Sequence, residues 1–308
     1  MYEIKRVIIA LDFSDFDDKL IEYIFKMSKH VGIEQLYFVH VVKTLEMPGS
    51  IAEKYPDLIA PQDEAIKNQI EFNIRKWNKE AGETRYDIDV LEGNITEEIL
   101  RWAQIKNVDL ILLGHKANRT SIGVNSGKIA KLAPCSVEFF TGQMPDMNKK
   151  ILVPIDFSEN SKMALEQAIE VCGHYKNAKI QCLNVYSIPQ GYHYSGKSME
   201  EYESIMQTHA QKDFEKFISM VDHHDISIEF EHVNSEDENI AGVIYNYAKD
   251  KNCTGICIGS KGRTQAASLI LGSVAENLII QNKHLPIFVV KERNQNMDIF
   301  SAIMKGSH

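Results

Sequence analysis

The sequence predicts an α/β protein made of two tandem, doubly wound domains, each with a mostly parallel five-stranded sheet. Three observations predict it. First, the chain repeats itself 144 positions on: Lys5-Arg6-Val7-Ile8-Ile9-Ala10-Leu11-Asp12-Phe13-Ser14 lines up with Lys149-Lys150-Ile151-Leu152-Val153-Pro154-Ile155-Asp156-Phe157-Ser158. Second, each copy alternates short apolar runs with longer stretches whose apolar residues recur at helical spacing. Strands separated by helices need crossovers, which make neighbouring strands parallel and put helices on both faces. Third, Thr141-Gly142-Gln143-Met144-Pro145-Asp146-Met147-Asn148 between the copies carries the Gly, Pro and Asn of a linker. The domains are therefore placed at residues 1–146 and 147–293, with a tail, 294–308, that has no counterpart in the first copy.

In the second copy, residues 151–155 form a nearly continuous apolar run, as a strand buried on both faces should. Ser158 is placed to cap a helix whose Ala164, Leu165, Ala168, Val171 and Cys172 fall on one stripe. A strand at 180–185 follows, then a connection, 187–197, into a polar helix at 200–221. Residues 226–233 make the third strand, and 240–249 a helix with Ile240, Val243, Ile244 and Tyr247 inward. A fourth strand at 255–259, a helix at 273–282 and a fifth strand at 287–290 complete the unit. The first copy repeats the order with strands at 7–11, 36–42, 86–91, 110–113 and 137–140, and helices at 16–29, 62–79, 96–106 and 127–132. In such Rossmann-like sheets, ligands sit beyond the carboxyl ends of the strands where strand order reverses.

Composition narrows the function classes. The 308 residues include 34 Lys and Arg against 43 Asp and Glu, a net charge of −9. That balance argues against a protein that coats nucleic acid, which needs clustered cations. A hydrophobic fraction of 44% is ordinary for a globular chain able to bury its own core without metal or disulfide. The N-terminus lacks a signal-like segment and no apolar stretch reaches 18 residues, so the expectation is a cytoplasmic protein with no membrane role. The five cysteines, Cys135, Cys172, Cys182, Cys253 and Cys257, lie in apolar runs and read as buried thiols.

The chemistry gathers after strand four of the second copy, in Gly259-Ser260-Lys261-Gly262-Arg263-Thr264 and then Gly272-Ser273-Val274-Ala275-Glu276. Two glycines three apart let a strand end turn sharply and present backbone N–H groups. Gly272-Ser273 then opens a helix whose unpaired amides and positive dipole end suit an anion. Lys261 and Arg263 flank the turn as counter-charges. The spacing by itself fits a phosphate site and a plain glycine-rich connection equally well.

Gly-x-x-Gly-x9-Gly-Ser, at Gly259, Gly262, Gly272 and Ser273, resembles the nucleotide-binding signature of the universal stress protein (UspA-like) family. The strand and turn from Val153 to Ser158 also look like that family's opening, and the resemblance covers both copies. It implies an adenine nucleotide alpha hydrolase-like fold and ATP as ligand, with AMP or ADP as alternatives and Mg²⁺ accompanying ATP. It further implies that Asp156 contacts adenine with Pro154 and Ser158 beside it, and that Val185 packs against the base. Gly259, Gly262, Arg263, Gly272, Ser273 and Val274 match the ribose- and phosphate-binding loop. The plain structural alternative for Asp156 is a carboxylate capping the turn at Ser158. Single-domain relatives resemble dimers joined through their last strands, so the strands at 137–140 and 287–290 are expected to pair within this chain as a pseudo-dimer. A homodimer and an unidentified protein partner are left open.

The first copy departs from the pattern. Its strand four ends Gly114-His115-Lys116-Ala117, only five residues separate Ala117 from Gly123, and Val124 stands where the serine should. A Cβ at 117 obstructs the turn if it needs positive φ. Asp12 and Ser14 remain without their partners, and a degenerate site is expected there. His115 and Lys116 are candidates for some other anion.

The remaining motifs read as structure. Lys26-Met27-Ser28-Lys29 resembles a synthetase loop but falls inside a helix. His209, His223, His224 and His232 lack metal-binding spacing and read as solvent histidines. Tyr192-His193-Tyr194 reads as a surface loop. No nucleophile elbow, Walker lysine or positioned base appears. The expectation is a nucleotide-binding regulatory protein of stress response, with a slow ATPase or a ligand-independent scaffold as alternatives.

Overall fold

The computed structural model describes residues 3–44, 62–77, 82–115, 123–142, 144, 149–188, 191, 196–235, 239–262, 271–282 and 284–292. These residues divide into two compact units, one within residues 3–144 and one within residues 149–291.

In the first unit, strands β1 (Arg6–Leu11), β2 (Gln35–Val42), β3 (Arg85–Glu92), β4 (Leu110–Gly114) and β5 (Ser136–Phe140) alternate with helices α1 (Asp17–Ser28), α2 (Gln62–Arg75), α3 (Ile95–Ile105) and α4 (Val124–Leu132). Every pairing is parallel, in the order β3-β2-β1-β4-β5. The second unit repeats this with β6 (Lys150–Pro154), α5 (Glu159–Gly173), β7 (Lys179–Tyr186), α6 (Met199–Ile218), β8 (Ser227–Asn234), α7 (Ile240–Asp250), β9 (Gly255–Gly259), α8 (Ser273–Gln281) and β10 (Ile287–Val290). Its order is β8-β7-β6-β9-β10, again all parallel. Strand order therefore reverses beside β1 in one unit and beside β6 in the other, at the carboxyl ends expected to hold a ligand.

Sheet alternation sorts the second unit's core. Val153, Ile155, Cys182 and Cys257 point to one face, where Ala164, Leu165, Ala168 and Cys172 of α5 and Phe214 and Phe217 of α6 cover them. Leu165 is fully buried, so trimming it to alanine should cost about 2–5 kcal/mol. The stripe expected on α7 is narrower than read. Ala241, Ile244 and Ala248 are buried, whereas Ile240, Val243 and Tyr247 are only partly so. Helix ends also moved: α4 starts at Val124 rather than 127 because Gly123 takes the N-cap, as Gly272 does for α8. All five cysteines are buried free thiols. Burial pushes Cys253 up to about 11 and Cys172 up to about 12, and holds Cys182 higher still.

Candidate functional site

The second unit's site starts where β6 ends. Ile155 N–H donates to the Leu183 carbonyl at 2.8 Å, and the Asn184 amide donates to the Ile155 carbonyl at 2.7 Å, so the strand end is pinned from β7. The chain then turns through Phe157 at φ +63, a left-handed conformation that strains a bulky residue. Its ring packs on Phe217 and Phe230, with centroids 5.7 and 6.4 Å away. Ser158 caps α5 as expected, its Oγ accepting the Ser161 N–H at 3.3 Å. The same hydroxyl donates to Asp156 Oδ1 at 2.5 Å, and Ser158 N–H donates to that oxygen at 3.1 Å. The turn-capping role for Asp156 is thus present, and it fixes the carboxylate's direction.

Gly259, which ends β9, and Gly262 beyond it are needed for close approach, and neither takes a positive φ. A Cβ on Gly259 would lie 2.6 Å from the Asn160 carbonyl oxygen, against the first turn of α5. One on Gly262 would lie 3.0 Å from Asp156 Oδ2. Ser260 N–H donates to the Val290 carbonyl at 3.0 Å, and Gly272 N–H returns to the Ser260 carbonyl at 2.7 Å. The loop's two ends therefore meet. Helix α8 starts there with Gly272 as N-cap and no side chain capping it, and its first residues, Ser273, Val274 and Ala275, line the cleft.

These pieces wall one cleft of about 310 Å³. Pro154, Leu183, Val185 and Ile258 supply its sheet side, Ile240 and Ile244 come from α7, and Val274 and Ala275 from α8. Asp156, Lys261, Gly262 and Ser273 stand at the polar end. An apolar slot with a few converging polar groups and exposed amides is what a small ligand with a flat ring and an anionic tail requires. Pro154, Asp156, Val185, Gly259, Gly262, Gly272, Ser273 and Val274 are all among the cleft's walls. Ser158 is not; it acts through Asp156. Arg263 lies outside the described residues. Ser161, Leu183, Ile240 and Ile244 were not anticipated as wall residues.

The first unit keeps the frame and changes the contents. His40 Nδ1–H donates to the Leu11 carbonyl at 2.9 Å, the bond that Asn184 makes in the other unit. Phe13 repeats the left-handed turn at φ +56, and Ser14 N–H donates to Asp12 Oδ1 at 3.1 Å. The helix start differs. Asp17 is buried, and its carboxylate accepts Phe13 N–H at 2.8 Å and Asp12 N–H at 3.4 Å. Burial first, then the neighbouring Asp12 charge, raise its carboxyl to about 6 against the pull of those two amides. The Phe16 ring lies against Gly114 and Gly142, where an added Cβ would meet it at 2.9 Å in each case. Val124 is 74% exposed at the place of Ser273. The shortened loop, 116–122, with Lys116 and Ala117, lies outside the described residues.

Two histidines are held within the fold. His115 is buried, its backbone N–H donating to the Phe140 carbonyl at 2.7 Å and its ring edge-on to Phe139. His232 is not a solvent histidine: its ring stacks on Tyr186 at 4.0 Å and Nδ1 meets Asn184 Oδ1 at 2.8 Å. His209, His223 and His224 are exposed as read. Tyr192-His193-Tyr194 and the tail, 294–308, lie outside the described residues. Among the described residues, no group of three or more His, Cys, Asp or Glu gathers to hold a metal, and no helix is long and apolar enough to cross a membrane.

Comparison with known proteins agrees with this architecture. The model of the family described as "Universal stress protein family" matches residues 3–138 and again 147–291. Universal stress protein MJ0577 of Methanocaldococcus jannaschii is 28% identical over 167 residues, which cover 49% of this chain and 99% of that protein. Universal stress protein MJ0531 of the same organism is 28% identical over 149 residues, 48% of this chain and 84% of that protein. The crystal structure of a universal stress protein from Archaeoglobus fulgidus superposes with a TM-score of 0.64 at 19% identity, covering 96% of this chain and 99% of that one. This last likeness concerns the fold.

Proposed function

Because the chain belongs to the universal stress protein family, with two such domains in tandem, we propose that its second unit binds an adenine nucleotide, with ATP foremost, and that the protein regulates rather than catalyses. One observation carries this reading: the Gly259–Gly262 turn, the start of α8 and the Asp156 carboxylate all wall a single, mostly apolar cleft. Asp156, fixed by Ser158, would take a donor on the base, and Val185 would pack on its face. Gly259, Gly262, Gly272 and Ser273 would offer backbone to the phosphates, with Lys261 as counter-charge and Arg263 beside it. ATP would bring its own Mg²⁺, since among the described wall residues Asp156 is the one carboxylate and it is directed by Ser158. Hydrolysis would need a positioned base, and none of the described cleft groups is placed as one. Nucleotide binding would shift contacts with a protein partner if two conformations bind it unequally.

The experiment is to denature protein purified without added nucleotide, identify what is released, and titrate ATP calorimetrically into the stripped chain. One adenine nucleotide per chain is expected, lost in Gly272→Val and kept in Asp12→Ala. Binding that survives Gly272→Val and disappears in Asp12→Ala would refute the assignment to the second unit.

A further inference from the structure

Position 161 separates the two units chemically. In the second unit it is Ser161, buried in the cleft wall, its hydroxyl donating to the Ser158 carbonyl at 2.9 Å. The residue five places after the strand-one aspartate in the first unit is Asp17. There the carboxylate sits on the turn's own amides, Phe13 N–H at 2.8 Å and Asp12 N–H at 3.4 Å, in the manner of a bound anion. We infer that Ser161 is a specificity-determining residue: its neutral hydroxyl leaves the cleft open to an anionic ligand, whereas Asp17 gives the first unit a built-in anion that excludes one. The inference rests on the nucleotide reading and explains why one unit alone would serve it.

Distance and dielectric support the effect. Asn160, the residue before Ser161, brings its carbonyl oxygen to 2.6 Å of where a Gly259 Cβ would lie. Ser161 and the glycine turn at 259–262 line the same cleft, so a carboxylate at 161 would face the space that the turn encloses. The surrounding walls are largely apolar, so a like charge there is screened far less than on the surface. Asp17 at the start of α1 shows that the corresponding position of the first unit holds a buried acid, and acids are favoured in a helix's first turn.

The test titrates ATP and adenosine into the full chain carrying Ser161→Asp or Ser161→Asn, with folding checked by thermal unfolding. Ser161→Asp should weaken ATP at least tenfold more than Ser161→Asn does, while the two variants weaken uncharged adenosine alike. Ser161→Glu takes the place of Ser161→Asp if the latter does not fold. Equal loss of ATP in the acid and amide variants would overturn the inference, because size rather than charge would then decide. An unsubstituted chain that binds neither ligand would overturn the nucleotide reading itself, and this inference with it.

Discussion

Gly262 approaches Asp156 so closely that any side chain at 262 would start 3.0 Å from Asp156 Oδ2. The glycine turn and the carboxylate held by Ser158 thus face each other without spare room, although they lie far apart in sequence. Gly262 shows no left-handed φ, so its backbone accepts an alanine, and among the described residues it is the Asp156 carboxylate that must move. Gly262→Ala should therefore weaken ATP about tenfold or more in a calorimetric titration. Its unfolding free energy should stay within about 0.5 kcal/mol of the parent.

Gly259 should behave in the opposite way. Its missing Cβ would meet backbone, the Asn160 carbonyl oxygen at 2.6 Å and carbon at 2.8 Å, and neither can rotate aside. Forcing them apart shifts the first turn of α5 against β9, an overpacking cost of about 1–3 kcal/mol. Gly259→Ala should lower the urea midpoint of the second unit even without ligand. Unchanged stability would show that α5 is not seated on β9 as described.

The contrast shows what the sequence could disclose. The repeat, the alternation of strands and helices along the chain and the Gly272-Ser273 helix start were legible because each has a local signature: a matched string, a period, a cap. The cleft's apolar wall was not, because Ile240 and Ile244 lie on the same helical stripe that marks a core face. Asp17 escaped notice because an acid in a helix's first turn is ordinary; only the fold reveals whose amides it holds. His232 was legible and overlooked. It shares a strand face with Ile228 and Phe230 by simple alternation, which should have marked it as inward.

Asp17 makes the first unit sensitive to pH. Its carboxyl is raised from 3.8 to about 6, chiefly by burial, so the native state holds a proton that the unfolded chain releases earlier. Its contribution is fully present below about 4 and is lost as pH rises through about 6. Asp17→Asn removes that loss. The variant should gain stability over the parent as pH is raised from 4 to 7, measured as the difference between their denaturation curves. A difference that is flat across this window would show that Asp17 ionises without cost.

His232 should give the reverse slope in the second unit. Burial lowers its pKa below the ordinary 6.5, and its buried Nε2 finds no hydrogen-bond partner, so protonation adds a charge that nothing nearby receives. Native structure then favours the neutral ring, and its contribution, present above about 6.5, is lost as pH falls further. His232→Phe keeps a flat ring to stack on Tyr186 and removes the titration. It should lose less stability than the parent between pH 7 and 5. It also strips Asn184 Oδ1 of the contact at 2.8 Å, a cost of about 1 kcal/mol at every pH. The amide of Asn184 still holds the Ile155 carbonyl, so the strand end that carries Asp156 should stay in place and ATP affinity should change less than twofold. Asn184→Leu releases that carbonyl as well. It should weaken ATP and stability together, by several-fold and by about 1–3 kcal/mol, and an Asn184→Leu chain with parental affinity would show that Asp156 needs no anchor from the Asn184 side chain.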